Sequence, residues 1–425
     1  METVAFRMRI FRTTALLGLT SALYAVSASL PDMARGADVG WLSQMESSKR
    51  TFQDSHGKPG DLLDILKESG INSIRLRVWA NPASHWCDSA DVLRMAIRAK
   101  AKGFRIMIDF HYSDSWADPG QQNKPASWGS HGIDQLKTDV SVHTTNVLKM
   151  LRDANIEPEW IQIGNETNDG MLWEEGRASK SMANFASLIQ AGSKAAKAVF
   201  PRTKIVVHLS NGFDNGLFRW IFDGLKKNTV EWDVIGMSLY PEVATWRATE
   251  EQCKTNMQDM AARYGKQVVI SEVGLDWAAA DSCYALLKKL QTDVKALPNQ
   301  SGIGVFYWEP ASFAGWNGYQ KGAFDTAGKP TRAMEAFKEA AAATAIASKD
   351  GEIPGARDMD LSLRGGKLDV RGGSELLDVR IYDMTGGLRV HSDRSPLRVD
   401  DLLPGTYLVK VRSMEGTFTR RFAKF

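Results

Sequence analysis

Eight short apolar runs, each followed by a longer stretch of helical periodicity, constrain this chain more than any other feature. The runs are 36–42, 73–79, 104–110, 160–164, 204–209, 233–239, 267–273 and 302–308, most of them rich in Val and Ile. They are apolar on both faces, as parallel strands covered by helices are. Amphipathic stretches lie between them at 60–70, 91–103, 181–200 and 282–297. In the first of these, Leu62, Leu63, Ile65 and Leu66 supply the apolar side and Gly70 the stop. Eight strand–helix units within about 320 residues predict an α/β fold, a (β/α)₈ TIM barrel. A doubly wound open sheet rarely needs eight units and usually carries a Gly-rich nucleotide loop. No GxGxxG or GxxxxGK[ST] follows an early strand here.

The pattern changes after residue 342. Residues 343–357 lose periodicity and carry Gly351, Pro354 and Gly355, so they read as a linker. Residues 358–425 show short alternating strands separated by turn signals, which predicts a small all-β, sandwich-like module with no catalytic constellation. The catalytic domain is expected at 36–342. At the other end, positive charge at 7–12 precedes an apolar, small-residue stretch at 13–29, so residues 1–29 read as a removable signal peptide. A secreted or cell-surface location follows, with no lasting membrane span. The formal net charge is +3, which points to neither nucleic acid nor an anionic membrane as partner, and the chain is expected to act as a monomer. Three cysteines form neither a disulfide framework nor a zinc pattern. Cys253 and Cys283 each lie near the start of a predicted helix in consecutive units. Two readings stand: a bridge between them, or buried free thiols.

A barrel places its chemistry at the C-terminal ends of its strands. Polar and aromatic residues collect there: Arg77 and Trp79; Asp109, His111, Tyr112 and Asp114; Asn165 and Glu166; His208; Tyr240; Glu272; Trp308 and Glu309. Glu166 and Glu272, on strands four and seven, would face each other across the mouth. Acetal cleavage needs such a pair, one carboxyl protonated to serve the leaving oxygen and one ionised to attack. A separation of about 5–5.5 Å would select retention through a covalent intermediate. Glu166 is then the acid/base and Glu272 the nucleophile. Arg77 would keep Glu272 ionised, Tyr240 would donate to it, and Asn165 would bind a sugar hydroxyl beside the reacting carbon. The chain holds 13 Trp, and a flat indole face suits a sugar ring. Trp116, Trp308 and Trp316 are the candidate platforms, with Trp79 structural. Asp109, His111 and Asp114 are read as sugar-binding rim rather than as metal ligands, and His208 as core or rim. No metal or cofactor is expected.

Several motifs together resemble glycoside hydrolase family 53, the endo-β-1,4-galactanases of clan A. They are GADVGWL with Asp38, RLRVWANP (75–82), DFHYSDSWADPGQQNKPASW (109–128), IQIGNETNDGMLW (161–173) and SEVGLDW (271–277). The resemblance runs over about residues 36–340. It implies β-1,4-galactan, the side chain of pectic arabinogalactan type I, as the polysaccharide substrate, and Asp38 as a substrate-binding residue. Some members hold calcium through long loops after strands seven and eight. Those loops are short and poor in carboxylates here, so no calcium is expected. The competing readings are another clan A activity, such as a mannanase or a β-1,4-glucanase, and a non-catalytic carbohydrate-binding barrel. The C-terminal module resembles type IX secretion sorting domains in VRIYDMTGG (379–387), LPGTYLVKVRS (403–413) and the basic finish RRFAKF. That resemblance implies the type IX secretion machinery as a partner, and the alternative is an accessory β-sandwich.

Overall fold

The computed structural model describes residues 32–313, 315–349, 360–371, 376–383, 387–413 and 416–424. The expected signal peptide lies outside them. Eight parallel strands close into the barrel that the alternation predicts. They are β1 (Ala34–Asp38), β2 (Ser73–Val78), β3 (Arg105–Phe110), β4 (Trp160–Ile163), β5 (Lys204–Leu209), β6 (Val234–Leu239), β7 (Gln267–Val273) and β8 (Gly302–Tyr307). Closure comes from β1 against β8, with Ala34 beside Gly304. Strand bounds match the sequence reading to within a residue or two, except at β1. That strand ends at Asp38, and its apolar continuation Val39–Trp41 turns into helix α1 (Leu42–Ser47) through Leu42 N–H to the Val39 carbonyl at 3.0 Å.

The outer layer is α2 (Leu62–Glu68), α3 (Ser89–Ala101), α4 (Ile133–Asp153), α5 (Met182–Val199), α6 (Asn215–Lys227), α7 (Trp246–Tyr264), α8 (Ala280–Lys295) and α9 (Glu335–Lys349). In α2 the sequence logic is complete within two turns. Asp61 caps the start by accepting from Leu63 N–H at 2.8 Å, and Leu62, Leu63, Ile65 and Leu66 are all buried against the barrel. Each such burial contributes roughly 2 kcal/mol. Helix α9 runs to Lys349, so the first seven residues of the expected linker are helical. Cys87, Cys253 and Cys283 are buried and free, which corrects the bridge reading of Cys253 and Cys283.

The two-residue period of a strand decides what lies inside the barrel. Ala34, Met107, Trp160, Val206, Val234, Val269 and Phe306 form an apolar floor. Further along the same faces come Asp38, Asp109, Gln162, His208 and Ser238, all buried. The interior therefore turns from apolar to polar toward the strands' C-terminal ends. Gly36 makes room for this floor, since a Cβ there would lie 1.9 Å from Cδ1 of Phe306. Strict alternation on β7 would turn Ser271 inward with Val269 and send Glu272 outward. A one-residue register shift prevents this: Met237 pairs with Ile270, but the next residue, Ser238, pairs with Glu272. The bulge turns the Glu272 side chain into the barrel mouth.

The C-terminal module contains two antiparallel sheets. With strands β9 (Asp360–Arg364), β10 (Lys367–Arg371), β11 (Leu376–Asp383), β12 (Leu388–Ser392), β13 (Leu397–Arg398), β14 (Gly405–Ser413) and β15 (Gly416–Lys424), their orders are β9-β10-β13 and β12-β11-β14-β15. Val379, Ile381, Val409 and Val411 are fully or almost fully buried in an apolar core to which both sheets contribute.

Candidate active site

Arg75 is the centre of the polar layer. It projects inward from β2 and is only 1% exposed. Nη1 bonds Asp38 at 3.0 Å and Glu272 at 2.9 Å. Nη2 bonds Asp109 at 2.9 Å and Asn165 at 2.9 Å, while Nε reaches Gln162 at 3.2 Å. One guanidinium thus ties five strands or strand ends together. Such a buried charge survives because its donors are matched. Burial alone would raise Asp109, but Arg75 and His111 outweigh it and hold that carboxyl below its ordinary value. For Asp38 burial wins over Arg75, and its carboxyl is pushed well above the usual range.

Glu272 is 5% exposed, and both its oxygens are occupied. Oε1 accepts from Arg75 and Oε2 from the Tyr240 hydroxyl at 2.8 Å. Burial and the Glu272 charge hold the Tyr240 phenol well above its usual value, so it stays a donor.

Glu166 differs in each respect. It lies past the end of β4, after Gly164, with φ of 43°. That left-handed conformation costs a non-glycine residue about 1 kcal/mol or more. The turn is held by Thr167 N–H to the His208 carbonyl at 2.9 Å and by Gln122, which donates to the Asn165 carbonyl at 2.8 Å. Among the described residues the Glu166 side chain forms no ion pair; Ser238 Oγ donates to Oε1 at 2.6 Å. Burial, and then the negative charge of Glu272, push its carboxyl up to about 8. Two glutamates near enough to repel each other thus sit in different environments, Glu272 between a guanidinium and a phenol and Glu166 against a serine hydroxyl.

The other sequence candidates divide sharply. Arg77, expected against Glu272, is instead paired to Glu309 at 2.5 Å and surrounded by Trp41, Trp79 and Trp116. Arg75 and Arg77 share one face of β2, and the one nearer the floor reaches Glu272. Asp38, expected to bind substrate, is fully buried and holds Arg75. His111, expected on the rim, is also buried. Its Nε2 meets Asp109 at 3.0 Å and its Nδ1 accepts from the Ala117 N–H at 3.1 Å, so neither nitrogen is left for a ligand. Asp114, another rim expectation, clamps two loops through the N–H groups of Asn81 at 2.9 Å and Ala126 at 2.8 Å. His208 is fully buried and belongs to the layer beneath Glu166. Asn165 accepts from Arg75 and donates to the Ala117 carbonyl at 2.9 Å.

A cavity of about 540 Å³ opens at the ends of β1, β2 and β8. Trp41, Trp79, Trp86, Trp116, Trp308 and Tyr319 line it, while the Glu166–Glu272 pair stands outside its wall. Trp116 and Trp308, the expected sugar platforms, both line this cavity. Trp316 is not part of the wall, and the Arg50 guanidinium covers its ring at 4.7 Å. Trp79, expected to be structural, does line the cavity. Sequence reasoning passed over Arg75, Gln162 and Ser238. Their signal was the inward period of their strands, Arg75 two residues before Arg77 and Ser238 two before Tyr240.

The description "Glycosyl hydrolase family 53" belongs to the family model that matches residues 34–337. An arabinogalactan endo-beta-1,4-galactanase of Thermothelomyces thermophilus is 34% identical over 302 residues, covering 65% of this chain and 89% of that protein. A probable arabinogalactan endo-beta-1,4-galactanase A of Aspergillus terreus is 33% identical over 299 residues, covering 65% and 85%. Among solved structures, a fungal beta-1,4-galactanase superposes with a TM-score of 0.68 at 29% identity, covering 72% of this chain and 99% of that one. The GH53 catalytic domain of Ignisphaera aggregans gives 0.67 at 30% identity, covering 73% and 97%. The chain belongs to glycosyl hydrolase family 53 and is a glycoside hydrolase.

Proposed function

We propose that this enzyme cleaves internal β-1,4-galactosidic bonds of galactan, the side chain of pectic arabinogalactan type I, with retention of configuration. The observation that carries the mechanism is the asymmetry of the two glutamates. In the first step the Glu272 carboxylate attacks the anomeric carbon while Glu166 gives its proton to the departing glycosidic oxygen. A covalent galactosyl–enzyme ester forms and the glycosidic bond breaks. In the second step Glu166, now a carboxylate, takes a proton from water as the water oxygen attacks the anomeric carbon. The ester bond to Glu272 breaks and both residues return to their starting states. Arg75 and Tyr240 hold the nucleophile, and Asn165 serves a hydroxyl next to the reacting carbon. The aromatic cavity supplies stacking surface for neighbouring sugars, which favours an endo action on a chain.

The galactan assignment rests on the names of the relatives and on the motifs of the β2, β3 and β4 ends. Product analysis on β-1,4-galactan, mannan and cellulose tests it, with Glu272→Ala as control. Short galactooligosaccharides from galactan alone, absent in the variant, are the expected result. Release from mannan or cellulose instead would move the assignment to another clan A activity, and full activity in the variant would overturn the mechanism. We further propose that the enzyme is exported, with residues 1–29 as the signal peptide and 358–425 as a type IX sorting module. Deleting 358–425 should leave the enzyme inside the outer membrane, and unchanged release to the medium would refute that role.

A further inference from the structure

We infer that Ser238 is a positioning residue whose single hydroxyl hydrogen follows the charge of Glu166, turning to His208 while Glu166 is an acid and to Glu166 once it is a base. The inference rests on the assignment of Glu166 as acid/base. It begins with three buried groups in a row. Ser238 Oγ lies 2.6 Å from Glu166 Oε1 and 2.8 Å from His208 Nε2. Ser238 is 1% exposed and His208 is fully buried, so no bulk water competes at the hydroxyl.

The neighbours of His208 assign its hydrogen. Nδ1 lies 3.0 Å from Asn165 Oδ1, an acceptor. Gln162 Nε2 stands 3.2 Å from the same nitrogen, but its hydrogens are directed to Asp109 at 2.6 Å and to the Gly164 carbonyl at 3.0 Å. The Glu166 N–H is more distant, at 3.5 Å. We assign the hydrogen to Nδ1, which donates to Asn165 at 3.0 Å in preference to accepting from the Glu166 N–H at 3.5 Å, and Nε2 is then an acceptor. Burial and the Arg75 charge, with His111 adding to them against Asp109, hold the imidazole well below its ordinary value and keep it neutral.

Ser238 then faces two acceptors with one hydrogen. A neutral Glu166 carboxyl competes weakly as an acceptor and can itself donate across the 2.6 Å contact, so the serine hydrogen satisfies His208. When Glu166 loses its proton, the carboxylate draws the hydroxyl into a short charge-assisted bond, the stronger kind. That bond, 2.6 Å long in this structure, is at its strongest in the state reached as the first step proceeds and used in the second. Besides Ser238, the charged groups acting on Glu166 are Glu272 and Asp118, which oppose its ionisation, and Arg75, which favours it. Ser238 is the neutral counterweight whose help is timed to the proton transfer. This gives it a transition-state role without any contact to substrate.

The test is the pH dependence of kcat/KM for Ser238→Ala, Ser238→Gly and Ser238→Thr on galactan. The limb on the basic side, where Glu166 loses its proton, should move up by about one pH unit in the Ala and Gly variants, with a loss of roughly ten- to a hundredfold in kcat/KM. Ser238→Thr keeps the hydroxyl and should keep the limb in place. A good leaving group that needs no acid, such as a dinitrophenyl galactobioside, should recover most of the loss in the first step. Unmoved limbs in Ser238→Ala and Ser238→Gly would overturn the inference whatever their rates, because a merely structural role lowers activity without moving a limb. Should either fail to fold, the other and the Thr variant still decide, since a shifted limb in the Thr variant also counts against it. Glu166→Ala separates the two assignments: if it stays active, the acid/base reading itself falls.

Discussion

Replacing Arg75 with Met should destabilise the barrel more than any other single change in the polar layer. The methionine fills most of the volume but leaves Asp38, Asp109 and Glu272 without the cation that now meets all three at 2.9–3.0 Å. Removing one partner of a buried ion pair costs about 3–5 kcal/mol. Arg75 is 1% exposed, so solvent screening does little to reduce that figure. For a domain this size the loss corresponds to a fall in melting temperature of roughly 6–20 °C. The effect should also depend on pH in a definite direction. In the wild type Asp109 is held below its ordinary value, so its contribution is present at neutral pH and is lost only as pH falls through that depressed value. Without Arg75, burial pushes the same carboxyl up, and the folded state then prefers it protonated. The deficit of the variant should therefore grow between about pH 4 and pH 7. Denaturant unfolding of both proteins across that range measures it. A variant within about 1 kcal/mol of wild type at pH 7, or a deficit that does not change with pH, would refute the reasoning.

Four further outcomes follow from the same geometry. The kcat/KM of the wild type should fall as pH rises through about 8, where Glu166 loses its proton. Because that folded-state value is raised, stability should decline between the ordinary carboxylate range and about pH 8, and Glu166→Gln should abolish the decline in a pH series of melts. Tyr240→Phe removes the hydroxyl at 2.8 Å from Glu272 and should lower kcat roughly ten- to a hundredfold with little change in melting temperature, as steady-state kinetics and a thermal melt will show. Burial pushes the thiol of Cys87 up to about 12 and that of Cys283 to about 11, with Cys253 also raised. A thiol reagent at neutral pH should label none of the three in the folded protein and all three after denaturation, and reductant should leave the melting temperature unchanged.

The barrel was legible because its signal is repeated: eight apolar runs and the helices between them reinforce one another. The positions of the two glutamates were legible because each follows a strand-like run whose C-terminal end opens on the barrel mouth. What escaped the sequence depends on stagger between strands. Arg75 and Arg77 share a face of β2, and only the register of β2 against β7 decides which one meets Glu272. The bulge between Ile270 and Glu272 leaves no local mark, since SEV reads equally well as unbroken alternation. His111 and Asp114 failed as rim residues for a different reason. The long segment after β3 needs its own backbone and side-chain donors satisfied, and those two polar groups are taken up in doing so. The exchange of roles between Trp79 and Trp316 has a similar origin, because the position of Arg50 over Trp316 cannot be read from spacing.

Trapping the covalent intermediate tests the central claim most directly. A 2-deoxy-2-fluoro-galactobioside with a good leaving group slows breakdown of the glycosyl–enzyme more than its formation. Mass spectrometry of the intact protein and its peptides should then show one added galactobiosyl unit, attached to the peptide that holds Glu272. Release of the leaving group with no adduct, or an adduct on any other residue, would contradict the account.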